Sequence, residues 1–346
     1  MWANKTRVAG ASACALLAAC ATLAAQSGNP ALPSEAACQT LVPASVGGPM
    51  PRNASVAVIR WLGHSNFEIA YRDTVILADA YIDRVPGSHP IGVLSKDFKK
   101  VDAILVGHAH FDHIADAPTI AKQTGAMVVG ASMGNDFLKK DGLPDVQIRT
   151  VTGTGGEHLE VKGILVEPIL GHHNVIATTV PPDYQAKVQT AMTAAALVQP
   201  LTEAEQQQTD AIRARGSRDP GIAAAGTIGY LLTLGTDFRI MIADSPGPIT
   251  DFQRQAMQRV GGVDVGLLSL VSMDAGIPPL VEMVRTFKPK SLFIGHHDGA
   301  GTLRWASTFL PAMAIRDAAP AARVLEVPYR TPVCYNTTTK EMFVGL

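Results

Sequence analysis

The apolar run AILVG (103–107) leads directly into HAHFDH (108–113), and this junction constrains the fold more than any other stretch of the chain. A short apolar run bounded by turn residues is the pattern of a buried strand. Sheets of α/β proteins keep their sites at the carboxyl ends of such strands. Three imidazoles and a carboxylate within six positions are metal-ligand chemistry, because His and Asp are side chains that hold divalent zinc, iron or manganese. On an extended segment His108 and His110 point to one side. Asp112 and His113 fall where the chain turns into the helix-like IADAPTIAKQTGA (114–126), so one short segment faces two metal positions from two directions. A His-rich surface turn, the plain alternative, explains neither the embedded Asp nor the apolar strand ahead of it.

The rest of the chain alternates in the same manner. SVAVIRWLG (55–63), NFEIAYR (66–72) and TVILADA (74–80) predict an antiparallel opening meander. From 103 onward, strands at AILVG, AMVVGA (126–131) and VQIRTVT (146–152) alternate with helices over 114–124 and 133–140, and HLEV (158–161) and ILVEPIL (164–170) return to strand character. TIGYLLTLG (227–235) and FRIMIAD (238–244) predict a hairpin turned by LGTD. Helices over 249–260, 278–288 and 305–319 are interleaved with strands VGLLSLV (265–271), SLFIGH (291–296) and RVLEVPY (323–329). Between these halves, residues 174–226 form a helical insert in which Thr202 and Glu205 are spaced as a capping box. Tyr184, Val188, Met192, Ala195 and Val198 lie on one apolar face at helical spacing. Because the insert leaves right after His172-His173, it is read either as a lid over the site or as plain packing.

HAHFDH matches HxHxDH, and with WLGHSNFEI (61–69), VILADA (75–80), GHH (171–173), IADS (242–245) and GHH (295–297) in that order, the chain resembles the metallo-β-lactamase superfamily. The resemblance covers roughly residues 55–300. It is nearest to the branch that holds ascorbate-6-phosphate lactonase and N-acyl-phosphatidylethanolamine phospholipase D. It implies a four-layer αβ/βα sandwich, here with the helical insert, and two divalent metal ions, zinc first, with manganese or iron as alternatives. One ion would take His108, His110 and a histidine of the first GHH; the other would take Asp112, His113 and a histidine of the last. Asp244 would bridge them. Within the doublets, His172 and His296 stand where the family's ligand follows the strand, which leaves His173 and His297 for substrate or supporting contacts. His64 is read as a turn or supporting residue, and Asp79 matches the branch's Asp-Pro with Ala80 in place of the proline. The implied reaction is hydrolysis of an ester, lactone or phosphodiester bond by a metal-bound hydroxide that Asp112 orients. Alternatives are an iron-dependent oxidoreductase or sulfur-chemistry enzyme on the same fold, and a non-catalytic metal-binding envelope lipoprotein.

Lys plus Arg number 29 against 30 Asp plus Glu, so no global field draws in nucleic acid, and the expected substrate is a small or lipid-like molecule. Lys5 and Arg7 followed by VAGASACALLAAC (8–20) read as an export signal over 1–19. Leu17-Ala18-Ala19-Cys20 resembles a bacterial lipobox, which implies a lipid on Cys20 and a membrane-anchored envelope protein facing the periplasm. Ordinary secretion with cleavage near Ala25 is the competing reading. Residues 20–54, rich in Pro, Ser, Gly and Ala, read as a tether and 55–346 as the catalytic domain. Cys38 and Cys334 remain in the mature chain, where an oxidising compartment invites a disulfide; two free thiols are the open alternative.

Overall fold

In the computed structural model the described residues are 32, 34–174, 201–219, 221, 226–271, 273–298 and 307–345. Two mixed sheets face each other. The first runs β15-β14-β1-β2-β3-β4-β5-β6 and the second β13-β12-β11-β10-β9-β8-β7. In the first sheet, β1 (Val56–Trp61), β2 (Phe67–Tyr71) and β3 (Thr74–Ala78) form the antiparallel meander. β4 (Ala103–Leu105), β5 (Met127–Gly130) and β6 (Ile148–Thr150) then continue in parallel. β14 (Val333–Asn336) and β15 (Met342–Val344) close the other flank against β1. In the second sheet, β7 (Leu159–Val161), β8 (Ile164–Leu170), β9 (Ile228–Leu234) and β10 (Phe238–Ala243) are antiparallel. β11 (Val265–Ser269), β12 (Ser291–Gly295) and β13 (Arg323–Leu325) extend it in parallel.

Each parallel stretch needs crossover helices, and those helices make the outer layers. α1 (Phe111–Ile114), α2 (Ala117–Thr124) and α3 (Asn135–Lys140) lie among the crossovers of the first sheet. Ile114, Ile120 and Leu138 pack there against Leu77, Ile104 and Val128. α4 (Glu203–Arg213) belongs to the insert. α5 (Asp251–Val260), α6 (Met273–Phe287) and α7 (Phe309–Ala318) cover the second sheet, with Met257, Leu280, Met283 and Phe287 against Met241 and Leu268. Between the sheets Ile59, Ile69 and Leu105 meet Ile164, Tyr230, Ile240 and Phe293 in one buried cluster. The result is the αβ/βα sandwich. Tyr230 also pins the layers together, because its hydroxyl lies 2.7 Å from the Val106 carbonyl, to which it donates, at the end of β4.

The structure corrects the tether boundary. Residues 34–54 are not a linker: Ala37, Cys38, Ala44 and Ser45 are buried against the outer face of β1 and β2. The cause is a buried ion pair, Arg60 Nη1 to Glu68 Oε1 at 2.9 Å, which needs partners because unpaired buried charge is costly. The segment's backbone supplies them. Arg60 Nη2 donates to the Ala37 carbonyl at 2.6 Å, and the backbone N–H groups of Ala44 and Ser45 donate to Glu68 at 3.1 and 2.7 Å. A disulfide joins Cys38 to Cys334 on β14, with their Cα atoms 6.0 Å apart.

Of the insert, the Thr202–Glu205 capping box forms as its spacing predicts and starts α4. Ile212 packs with Tyr81, Val85 and Ala115, and the chain then returns onto the motif, where the Phe111 N–H donates to the Ser217 carbonyl and the Ser217 N–H to the Ala109 carbonyl, on either side of a bridge to His110. The Tyr184–Val198 face, the signal segment and Cys20 lie outside the described residues. Among the described residues no helix is long and apolar enough to cross a membrane.

Candidate metal centre

β4 delivers the motif. After Leu105 the chain leaves the sheet, and Gly107 passes so close to Asp244 that a Cβ there would meet the carboxylate carbon at 2.1 Å. Only glycine lets the strand end reach Asp244 at the end of β10. The Gly107 N–H donates to Asp79 Oδ1 at 2.9 Å, which fixes the start of the HAHFDH segment.

The side chains gather in three overlapping groups with donor atoms within 4.8 Å of one another: His108, His110 and His173; His108, His113 and Asp244; and His64, Asp112, His113 and His296. Asp244 lies between the outer groups, its Oδ2 2.5 Å from His108 Nδ1 and 3.1 Å from His113 Nδ1. Its other oxygen, Oδ1, is buried without a hydrogen-bond partner.

Hydrogen bonds to fixed acceptors set the tautomers. His108 Nδ1 donates to Asp244, and His110 Nε2 donates to the Asp219 carbonyl at 3.2 Å. Each ring therefore keeps its proton on the outward nitrogen, and the inward pair, His108 Nε2 and His110 Nδ1, face each other as lone pairs at 3.1 Å. Two lone pairs at that separation repel unless a cation is shared. His173 Nδ1 donates to the Asn174 carbonyl at 3.1 Å and His113 Nδ1 to Asp79 Oδ2 at 2.8 Å, so in each ring the remaining nitrogen is left for a metal. This is the arrangement of histidines prepared for metal, one nitrogen oriented by an oxygen and the other open. The donor set fits divalent ions.

Electrostatics favour neutral His110, His173 and His296 and ionised carboxylates; burial also works against the charge of His113, but the Asp79 and Asp244 carboxylates outweigh it and hold that ring well above the usual imidazole range. Burial, with His108 and His113 adding, lowers His110 to about 4, and burial with His108 and His110 lowers His173 to about 4. Burial works against ionisation of Asp112 and Asp244, but the surrounding imidazoles outweigh it and hold both below the usual carboxylate range.

The two rings of the first doublet part company. His173, not His172, stands beside His108 and His110, with ring centroids 4.8 and 4.9 Å away. His172 is exposed and donates from Nδ1 to the Pro248 carbonyl at 3.0 Å. The reason is that β8 ends at Leu170, so strand alternation no longer governs which of the two rings faces inward. In the second doublet His296 joins the Asp112 group, whereas His297 is 7% exposed and stacks on Trp61 at 4.7 Å. Of the two residues expected to make substrate or supporting contacts, His297 packs on Trp61 and His173 lies within reach of His108 and His110.

Sequence reasoning undervalued several supports. His64 lies inside the Asp112 group, Asp79 orients His113, and Asp298 accepts from the His64 N–H, Arg84 and Tyr329. The signal for His64 was its place after a turn glycine that ends a buried strand, the same context as both GHH doublets.

The sequence profile described as the beta-lactamase superfamily domain matches residues 74–297, more than half of the chain. A UPF0173 metal-dependent hydrolase of Methanopyrus kandleri is 31% identical over 116 residues, covering 34% of this chain and 47% of the relative. One of Koribacter versatilis is 38% identical over 97 residues, covering 28% and 40%. The chain thus spans less than half the length of these curated relatives. Among solved structures, Igni18, a metallo hydrolase of Ignicoccus hospitalis, is similar at a TM-score of 0.55 and 16% identity, covering 81% of this chain and 98% of that one. The isothiocyanate hydrolase from Delia radicum gut bacteria is similar at 0.51 and 10%, covering 79% and 97%. At such identities the likeness establishes the fold, and with the matched profile it shows that the chain belongs to the metallo-β-lactamase superfamily.

Proposed function

We propose that the protein is a binuclear metal-dependent hydrolase that cleaves an ester, lactone or phosphodiester bond. The observation that carries this reading is the unbroken run of donors from His110 through His108, Asp244 and His113 to Asp112, two donor groups with a carboxylate between them. The printed names of the curated relatives, metal-dependent hydrolases, support the reaction class.

His108, His110 and His173 would hold one ion, and Asp112, His113 and His296 the other, with Asp244 shared. When bound, such ions acidify water and polarise the oxygen of a scissile carbonyl or phosphoryl group. The protein's own part follows from placement. Asp112, kept ionised by the imidazoles around it, accepts a hydrogen bond from the attacking water and takes its proton. Asp244 holds His108 and His113 at fixed angles, so that little reorganisation accompanies charge development. His110, His173, Asp112 and His296 are partly exposed while His113 and Asp244 are buried, so substrate would approach from the side of these four.

An exported, lipid-anchored enzyme with a small or lipid-like substrate remains our reading of the N-terminus, and the Cys38–Cys334 disulfide supports an oxidising compartment. The test of function is metal analysis of the purified protein with a panel of lactone, phosphodiester, ester and β-lactam substrates. About two equivalents of divalent metal, with hydrolysis abolished by a chelator and restored by zinc or manganese, are expected. Metal-free protein with full activity would sink the reading. Mass spectrometry of the mature N-terminus, beside detergent partitioning of a Cys20→Ser variant, tests the anchor; an unacylated N-terminus near Gln26 overturns it.

A further inference from the structure

We propose that His64, which lies outside the HxHxDH motif and both GHH doublets, is itself a ligand at the Asp112 cation position. The inference rests on the binuclear reading above and adds a donor to it.

His64 is completely buried, and its Nε2 has no hydrogen-bond partner. A buried, unsatisfied polar nitrogen is costly and calls for a reason. Its nearest polar neighbour is Asp112 Oδ2 at 3.4 Å, beyond a good hydrogen bond, and His296 Nε2 approaches the same oxygen to 3.9 Å. The two rings are held 3.7 Å apart between centroids. His64 Nδ1 is engaged, 3.1 Å from Ser65 Oγ, a contact in which either atom can donate. In the tautomer that carries its proton on Nδ1, Nε2 turns a lone pair toward Asp112 Oδ2, and a cation between the two atoms would satisfy both.

The backbone is built to keep His64 there. Its φ of 52° is left-handed, a conformation uncommon outside glycine, and His296 shares it at 64°. The turn is locked from three sides. The His64 N–H donates to Asp298 at 2.9 Å, its carbonyl accepts from Trp61 Nε1 at 2.7 Å, and the same carbonyl accepts the His296 N–H at 2.8 Å. One peptide carbonyl thus ties the β1–β2 turn to the end of β12 and sets both imidazoles against Asp112. Strain of this kind, over-determined by its surroundings, belongs to positions that hold a working geometry. A histidine needed only for packing gains nothing from a left-handed backbone or an unpaired inward nitrogen.

The test counts ligands in the intact protein. Full-length protein labelled with 15N-histidine is loaded with 113Cd, and cadmium–nitrogen couplings are counted by NMR. Six coupled imidazoles, those of His108, His110, His173, His113, His296 and His64, are expected; five, with His64 uncoupled, overturn the proposal. His64→Gly, which suits the positive φ, should keep one ion and bind the second at least about 100-fold more weakly, with added imidazole restoring it. His64→Asn serves if the glycine variant does not fold. A variant that binds both ions as tightly as wild type also overturns the proposal. Wild-type protein that binds fewer than two ions would instead defeat the binuclear reading, so the two failures are separate.

Discussion

At the residue scale the first GHH doublet is the sharpest case. His172→Ala should leave metal content within about twofold of wild type, whereas His173→Ala should lose one ion and hydrolysis together, the reverse of what strand alternation predicts. Metal analysis of both variants decides it, and equal losses would count against the assignment. The donor types were legible because metal chemistry restricts them to few side chains; the choice within a doublet was not, since it depends on how the chain leaves β8. Asp116 gives a pH prediction. Burial, with the Asp83 carboxylate adding, pushes it up to about 7, against the backbone N–H groups of Ile82 and Asp83. Its folded pKa lies above the unfolded value of about 3.9. Its stabilising contribution is therefore full below about pH 4 and is lost as pH rises through about 7, with a slope of at most about 1.4 kcal/mol per pH unit. Asp116→Asn, which keeps an acceptor for both N–H groups, should gain stability relative to wild type across that window in urea titrations. A difference that stays constant with pH would refute this.

At the element scale, strands were readable and joints were not. The meander, the β9–β10 hairpin and the alternating helices follow from period and turn residues. The expected helix over 114–124 forms as α2, which starts only at Ala117 with Pro118 in its first turn, where a missing N–H is tolerated, and α1 is a separate turn ahead of it. α6 likewise begins five residues before Pro278, where the sequence reading starts its helix. The composition of 34–54 misled for a different reason: its hydrogen-bonding partners, Arg60 and Glu68, are strand residues whose buried charge on the outer face no local window reveals. Glu68→Gln should cost about 3 kcal/mol in urea unfolding, because it leaves the Arg60 guanidinium buried without its counter-charge. A loss under about 0.5 kcal/mol, the size of an ordinary surface substitution, would show that the segment docks without the pair.

For the molecule as a whole, the Cys38–Cys334 bridge spans 296 positions and binds the first packed segment to one of the last strands. Cys38→Ser with Cys334→Ser should lower unfolding free energy by about 2–5 kcal/mol, and a reducing agent should have the same effect on wild type and none on the variant. An unchanged urea midpoint would show that the ends are held by β-pairing alone. That pairing has its own consequence for how the protein is made. β1 lies between β2, which follows within a few residues, and β14, whose Val333–Asn336 pair with Val56–Ile59. During synthesis at roughly 5–20 residues per second, one edge of β1 waits on the order of 15–50 s for its partner to be polymerised. The nascent chain therefore leaves the ribosome with an open strand edge and an unjoined thiol. Completion of the first sheet is therefore a post-translational event.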